Sequence, residues 1–310
     1  MTTPGPRVAA VILNYNKKTD TLACLESLRR STLQPANIVV VDNASADDSA
    51  EAVAAAFPRA HLIRNTANLG AVGGRNVGWR AAVERTRPEL ILFLDDDATL
   101  EPSALGRLVD ALQQDPRAGI ACGKAYTRFP SRTVMSAGLI VNRWTGAVRD
   151  RGAGRQDDGR YDAPGYVAAC GGFAWLARRE VLEALGGLDE DFNPYGWEDV
   201  DFCLRAARHG WRVCYVPDAI VYHGGGKIGR KPVAAYERSK VRNYFLLLRR
   251  HTTWLQRLSC AVCVPWRALL VMGRLVRGGH AAIIAEHWRG VGDSLRASIR
   301  PSSDTHGGAS

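Results

Sequence analysis

Three consecutive carboxylates, Asp95, Asp96 and Asp97, follow directly on the apolar run 90–94, LILFL. Such a run reads as a buried strand, and like charges crowded at its end raise one another's pKa unless a cation neutralises them. A divalent ion bound to a phosphate-bearing ligand resolves the conflict, since Mg²⁺ or Mn²⁺ prefers hard oxygens and completes its shell with phosphate and water. The competing reading is an acidic loop capping a helix that begins near Pro102, because carboxylates favour helix N-termini.

Asn68, Gly70, Gly73, Asn76 and Gly78 form NxGxxGxxNxG ahead of a helical pattern. Glycines there permit close backbone approach to a phosphate or sugar, and a helix start offers N–H donors to an anion. A tight structural turn is the alternative. A dinucleotide fingerprint would follow the first strand, and here that strand runs instead into Asn14, Tyr15 and Asn16. A second acidic cluster, Trp197-Glu198-Asp199-Val200-Asp201, opens another helical pattern. A carboxylate at a helix start, away from a metal, suits proton acceptance from an attacking hydroxyl, and its ordinary counterpart is an N-cap with first-turn acids. His223 precedes Gly224, Gly225 and Gly226 and could complete a metal site or serve as a hydrogen-bonded structural residue.

The elements that must position these groups alternate. Strands are expected over 8–13, 37–41, 61–64 and 90–94, and helices over 20–30, 47–57 and 74–87. Short continuous apolar strands between helices indicate a mainly parallel sheet covered on both faces. Ligands bind such sheets outside the carboxyl ends of the strands, where Asn14 to Asn16, Asp42, Asn43 and Asp95 to Asp97 all fall. Beyond 119 the pattern is irregular: one strand over 167–177 interrupted by Gly171 and Gly172, further strands over 213–216 and 220–222, and a helix over 199–209. From about Pro232 the chain turns helical, with breaks expected near Pro265 and at Gly278-Gly279 and a disordered tail over 301–310.

The 310 residues carry a formal charge of +10, but 227–300 hold 15 Lys/Arg against 3 Asp/Glu, while 1–226 hold 26 against 27. Positive charge is thus segregated in the C-terminal segment. Its arginines interleave with Trp254, Trp266, Trp288 and aliphatic runs. The apolar window 258–276 contains Pro265, Arg267 and Arg274, which argues against a spanning helix. Two readings stay open: an amphipathic segment on an anionic membrane surface, or a helical subdomain packed on the core with a solvated basic face. Seven cysteines without a framework imply reduced thiols and a cytoplasmic setting. Cys260 and Cys263, a CxxC in an apolar helix, read as core residues. Residues near the N-terminus lack a signal-peptide cleavage pattern, so export is not expected.

In order and spacing, VILNYN (11–16), VVVDNASADDS (39–49), NLGAVGGRNVG (68–78), FLDDDA (93–98), the segment 185–213 containing WEDVDF, and VYHGGG (221–226) resemble family 2 glycosyltransferases of bacteria, notably the rhamnosyltransferase-like branch. The resemblance covers about 7–250 and implies an α/β GT-A fold, Rossmann-like, with a C-terminal helical extension. It implies a nucleotide-sugar half at 1–118 and an acceptor half at 119–226, and the basic helical region at 227–300, read from its composition, is expected on the inner face of the cytoplasmic membrane or packed on the core. By position, Asp42 should contact the nucleobase with Asn14 near it, and Asp95 and Asp97 match the metal- and nucleotide-binding DxD. His223 matches a further metal contact and Asp199 the general base. Asn16, Asn43, Asn68, Gly70, Gly73, Asn76 and Asp96 belong to the donor side, and Gly171, Gly172, Trp197 and Glu198 to the acceptor side. The implied activity is inverting transfer of L-rhamnose or a hexose from a dTDP- or UDP-linked donor to a glycan or lipid-linked acceptor, with Mg²⁺ or Mn²⁺. A catalytically silent nucleotide-sugar-binding subunit is one rival. A basic nucleic-acid-binding protein is another, weakened because no nucleic-acid module accompanies the charge.

Overall fold

In the computed structural model, which describes residues 5–224, 234–278 and 280–299, twelve strands and nine α-helices are assigned among the described residues. The strands are β1 (Val8–Asn14), β2 (Asn37–Asp42), β3 (His61–Arg64), β4 (Leu90–Asp95), β5 (Ala98–Leu100) and β6 (Ala118–Thr127), then β7 (Val134–Ser136), β8 (Leu139–Asn142), β9 (Ala147–Asp150), β10 (Gly165–Val167), β11 (Ala174–Arg178) and β12 (Arg212–His223). The helices are α1 (Lys18–Arg29), α2 (Ser49–Ala56), α3 (Gly70–Thr86), α4 (Ala104–Gln114), α5 (Arg179–Leu185) and α6 (Glu198–Arg208), followed by α7 (Ala234–His251), α8 (Trp254–Arg277) and α9 (Ala281–Ile299).

One sheet, ordered β10-β12-β6-β11-β4-β1-β2-β3, runs through the structure. Its β3-β2-β1-β4 half is parallel, as the alternating pattern predicts. The other half is mixed, because β11 enters antiparallel between β4 and β6. Successive residues of β1 feed opposite faces: Ala9 and Val11 pack with α3 and α6 residues, while Val8, Ala10 and Ile12 pack with α1 and α4 residues. Both faces are therefore apolar, and the strands read as unbroken hydrophobic runs.

Four local expectations change. The single strand over 167–177 is two strands, β10 on β12 and β11 on β4, because 168–173 turns the chain across the sheet end. The two strands over 213–216 and 220–222 are one, β12, whose register against β6 shifts between Val216 and Ile220. α3 starts at Gly70, where Asn68 Oδ1 accepts the Gly70 N–H (2.8 Å) and Pro194 O accepts that of Ala71 (2.7 Å). α8 passes through Pro265 without a break. The proline withholds one N–H, and the Ala261 carbonyl it leaves lies on an exposed side of the helix, where water can serve it. α8 ends at Arg277 and α9 begins at Ala281, and Gly279 lies outside the described residues. The tail 301–310, together with Gly225 and Gly226, lies outside the described residues.

α7 docks on the segment that opens α6. Fully buried Asn243 donates through Nδ2 to the carbonyls of Tyr195 and Gly196, both at 3.1 Å, and Trp197 Nε1 donates to Lys240 O at 2.9 Å. Buried Asp201 joins Arg205 Nε (2.7 Å) and, across to the end of α7, His251 Nε2 (2.8 Å).

Candidate active site

The acidic triplet sits where β4 ends, and its three members diverge. Asp97 and His223 lie far apart in sequence but meet because β5 pairs antiparallel with β12, placing Ala98 opposite His223, and Gly224 N–H donates to Asp97 O at 2.9 Å. His223 Nε2 is 2.8 Å from Asp97 Oδ1 and 3.7 Å from Asp95 Oδ2, and its ring stacks on Phe173. Asp95, Asp97 and His223 each offer a ligand atom within 4.8 Å of one another. Asp96 turns away: Lys17 Nζ holds its Oδ1 at 2.9 Å and the Tyr15 N–H its Oδ2 at 3.3 Å. Lys17 also bridges to Asp97 Oδ2 at 3.0 Å.

Burial pushes the Asp96 carboxyl up to about 6 despite the Lys17 ammonium beside it. Burial also opposes ionisation of Asp97, but the hydrogen bond and charge of His223, with Lys17, outweigh it and hold this group well below the usual carboxylate range. For Lys17 burial favours the neutral amine, yet Asp96 and Asp97 together raise it above the ordinary lysine value. Two anionic oxygens and an imidazole nitrogen facing one another form a hard donor set suited to a small divalent ion.

Arg75 joins this cluster to α6. Its side chain is only 6 % exposed; Nη2 reaches Asp95 Oδ1 at 2.5 Å and Gly172 O at 3.3 Å, and Nη1 reaches Glu198 Oε1 at 2.9 Å. Burial disfavours the cation, but Asp95 and Glu198 more than restore it. Glu198 Oε2 accepts the Gly196 N–H at 2.7 Å, so both its oxygens are engaged. Asp199, one residue on, is half-buried and accepts the Val200 N–H at 2.8 Å. A Cβ on Gly172 would stand 3.3 Å from Asp199 Oδ2, so the glycine keeps the space beside that carboxylate open. Trp197 caps α6 in the left-handed region with φ 70°.

At the ends of β1 and β2, Asn14 is fully buried: Nδ2 donates to Asp42 Oδ1 (2.7 Å) and Ser49 Oγ (2.8 Å), and Oδ1 accepts from Thr21 (2.7 Å). Asp42 Oδ2 accepts the Ser45 N–H at 3.3 Å, and Asn16 Oδ1 that of Ala46 at 2.6 Å. Asn43 Nδ2 ties to Asn68 Oδ1 (2.9 Å) and Gly70 O (3.0 Å). The glycine-rich segment behaves differently from its phosphate-cradle reading. A Cβ on Gly70 (φ 73°) would lie 2.6 Å from Asn193 Oδ1, and Gly73 N–H donates to that same oxygen at 3.3 Å. The close approach is made by the protein's own 193–194 segment. Asn76, also buried, spends Nδ2 on Leu188 O (2.8 Å) and Glu190 Oε1 (3.0 Å) and clamps the turn before α6.

Sequence reasoning missed Lys17, Arg75 and Asn243. Arg75 carried a signal, a charge within a glycine-asparagine motif whose neighbours must pack. Lys17 sat in the polar cluster after β1 without a visible partner.

The family described as Glycosyltransferase like family 2 matches residues 6–246. An N-acetylglucosaminyl-diphospho-decaprenol L-rhamnosyltransferase of Mycobacterium tuberculosis is 27 % identical over 262 residues, covering 74 % of this chain and 80 % of the relative. The galactofuranosyltransferase GlfT2 of the same species is 26 % identical over 72 % of this chain, which spans 38 % of that protein. Among solved structures, the mannosyltransferase PcManGT from Pyrobaculum calidifontis with GDP-Man and Mn²⁺ superposes with a TM-score of 0.57 at 19 % identity, covering 94 % of this chain and 88 % of that one. GalNAc-T7 with UDP, GalNAc and Mn²⁺ gives a TM-score of 0.59 at 18 % identity over 76 % of this chain, which spans 48 % of that chain. These likenesses establish the α/β GT-A fold, and with the family match they show that the chain belongs to the glycosyltransferase-like family 2.

Proposed function

We propose that this chain is an inverting, metal-dependent glycosyltransferase that moves L-rhamnose or a hexose from a dTDP- or UDP-linked donor to a hydroxyl of a glycan or lipid-linked acceptor of the cell envelope. The observation that carries this reading is the bridge of Arg75 between Asp95 and Glu198, which ties the Asp95/Asp97/His223 cluster to the start of α6, where Asp199 follows Glu198. Asp95, Asp97 and His223 would hold Mg²⁺ or Mn²⁺, and the imidazole nitrogen favours Mn²⁺. When bound, the ion supplies charge stabilisation to a departing nucleoside diphosphate. Asp199 takes the proton of the acceptor hydroxyl as that oxygen attacks the anomeric carbon, in a single displacement that inverts the centre. Glu198 is spent on Arg75 and Gly196.

On the donor side, Asp42, oriented by Asn14 and Ser45, faces the base, and Asn16 and the Asn43–Asn68 pair shape the pocket. Gly171, Gly172 and Trp197 border the acceptor. The names of the relatives support a lipid-linked acceptor and rhamnosyl transfer, and they span several sugars, so the donor is an experimental question. A lipid-linked acceptor would be met at the inner face of the cytoplasmic membrane, and the exposed apolar side of α8 supports that setting.

A thermal-shift panel of dTDP, UDP and GDP with and without Mn²⁺ tests the reading, because a ligand that binds only the folded state raises its melting temperature. One nucleotide should stabilise in a Mn²⁺-dependent way and so identify the donor base. Absence of a shift with all three would overturn the reading, and a non-glycosyltransferase role would be the better account.

A further inference from the structure

We infer that Lys17 and Arg75 make Asp97 and Asp95 one-oxygen ligands, and thereby set which divalent ion the cluster accepts; this rests on the metal-dependent reading above. Each carboxylate divides its oxygens between a cation of the protein and His223. Asp95 gives Oδ1 to Arg75 Nη2 at 2.5 Å and turns Oδ2 toward His223 Nε2 at 3.7 Å. Asp97 gives Oδ2 to Lys17 Nζ at 3.0 Å and Oδ1 to His223 Nε2 at 2.8 Å. Arg75 is not free to swing aside, because its other arm is held by Glu198 at 2.9 Å and the side chain is 6 % exposed. Lys17 is likewise held from two sides, by Asp97 and by Asp96 Oδ1 at 2.9 Å.

A carboxylate whose second oxygen accepts a charge-assisted hydrogen bond cannot offer both oxygens to an ion without breaking that bond. The constraint separates ions by size. Ca²⁺ takes six to eight oxygens and draws heavily on two-oxygen carboxylates, whereas Mg²⁺ and ions like it take about six ligands, one atom from each group. Lys17 and Arg75 therefore act as specificity-determining residues that disfavour Ca²⁺, in addition to neutralising the acidic cluster.

The test uses the full chain without nucleotide. Mn²⁺ binding is followed by loss of the free-ion electron paramagnetic resonance signal, and Ca²⁺ is added as competitor, with folding checked by circular dichroism. Wild type should require Ca²⁺ in roughly tenfold or greater excess to displace Mn²⁺, and Lys17→Met should reduce that excess by about fivefold, with Lys17→Arg restoring it. Removing a positive charge strengthens binding of both ions alike, so the Ca²⁺/Mn²⁺ ratio is the diagnostic quantity. Arg75→Lys, which keeps the charge but loses the fork, should lower the same ratio and provides a second reading. An unchanged ratio in both variants overturns the inference while leaving the metal site intact. A wild-type chain that binds no Mn²⁺ would instead remove the metal-dependent reading itself.

Discussion

Asp199 and Glu198 are chemically near-identical neighbours, and their surroundings divide the work. Glu198 is buried between Arg75 and the Gly196 N–H, while Asp199 is half-buried beside Gly172. Asp199→Asn should cut turnover by about 10²- to 10⁴-fold, the usual size of a lost general base, while nucleotide affinity in Mn²⁺ stays within about threefold. Steady-state kinetics paired with calorimetry would read both numbers, and near-normal turnover would remove the base assignment. At this scale the sequence shows the residue types plainly: carboxylates at a strand end, a histidine before glycines, acids at a helix start. It does not show that Asp96 turns back to Lys17, because which way a side chain leaves a strand end depends on the cations that meet it.

At the scale of elements, α6 is held in place by α7. Asp201 is fully buried between Arg205 and His251, which join the helix carrying Asp199 to the end of the helix that follows the sheet. Asp201→Asn should destabilise the fold by about 3 kcal/mol in urea denaturation, since it removes the fully buried carboxylate that pairs with Arg205 and bonds to His251. Burial works against the Asp201 charge, but the hydrogen bond from His251 and the attraction of Arg205 bring the group below its ordinary 3.8. A depressed carboxylate contributes stability that is full above the unfolded value and fades as pH falls through the folded one. The gap between wild type and Asp201→Asn should therefore shrink as pH falls below 3.8. A gap that persists unchanged into acid would show that packing, not charge, is what the substitution removes. The basic segment was legible as helical from its pattern, but α7 as a partner of α6 was not. Among the groups that dock it are backbone carbonyls of 192–196, which any sequence possesses.

For the molecule as a whole, the unsatisfied feature is the outward side of α8. Trp254, Leu258, Val262, Trp266 and Leu269 are each at least 60 % exposed, and the helix contains no acidic residue. By length and composition α8 could cross a membrane. Its opposite side is nevertheless tied to the protein, through Cys260 Sγ to Arg143 O at 3.3 Å and Arg267 Nη1 to Thr145 O at 3.4 Å. A helix docked along one side and apolar along the other fits a lipid surface lying in its plane, with arginines toward anionic headgroups. Co-sedimentation with phosphatidylglycerol vesicles at low salt, much weaker with phosphatidylcholine and lost in Val262→Glu/Trp266→Glu, is the expected result. Recovery in the supernatant under all conditions would assign the face to another partner.

The sequence by itself determined the class of the fold, the family, and the chemical identity of the acidic and histidine groups, because hydrophobic periodicity and motif order are local properties of the chain. Tertiary structure alone decided which groups meet. The β5–β12 pairing brings His223 to Asp97, and the antiparallel entry of β11 places Gly172 beside Asp199 and Arg75. It also decided that the glycines of α3 make room for protein: Asn193 and Pro194 at Gly70, and Leu13 at Gly74. A glycine records only that something comes close, and what comes close is settled by strands and turns far along the chain, 120 residues away for Asn193 at Gly73.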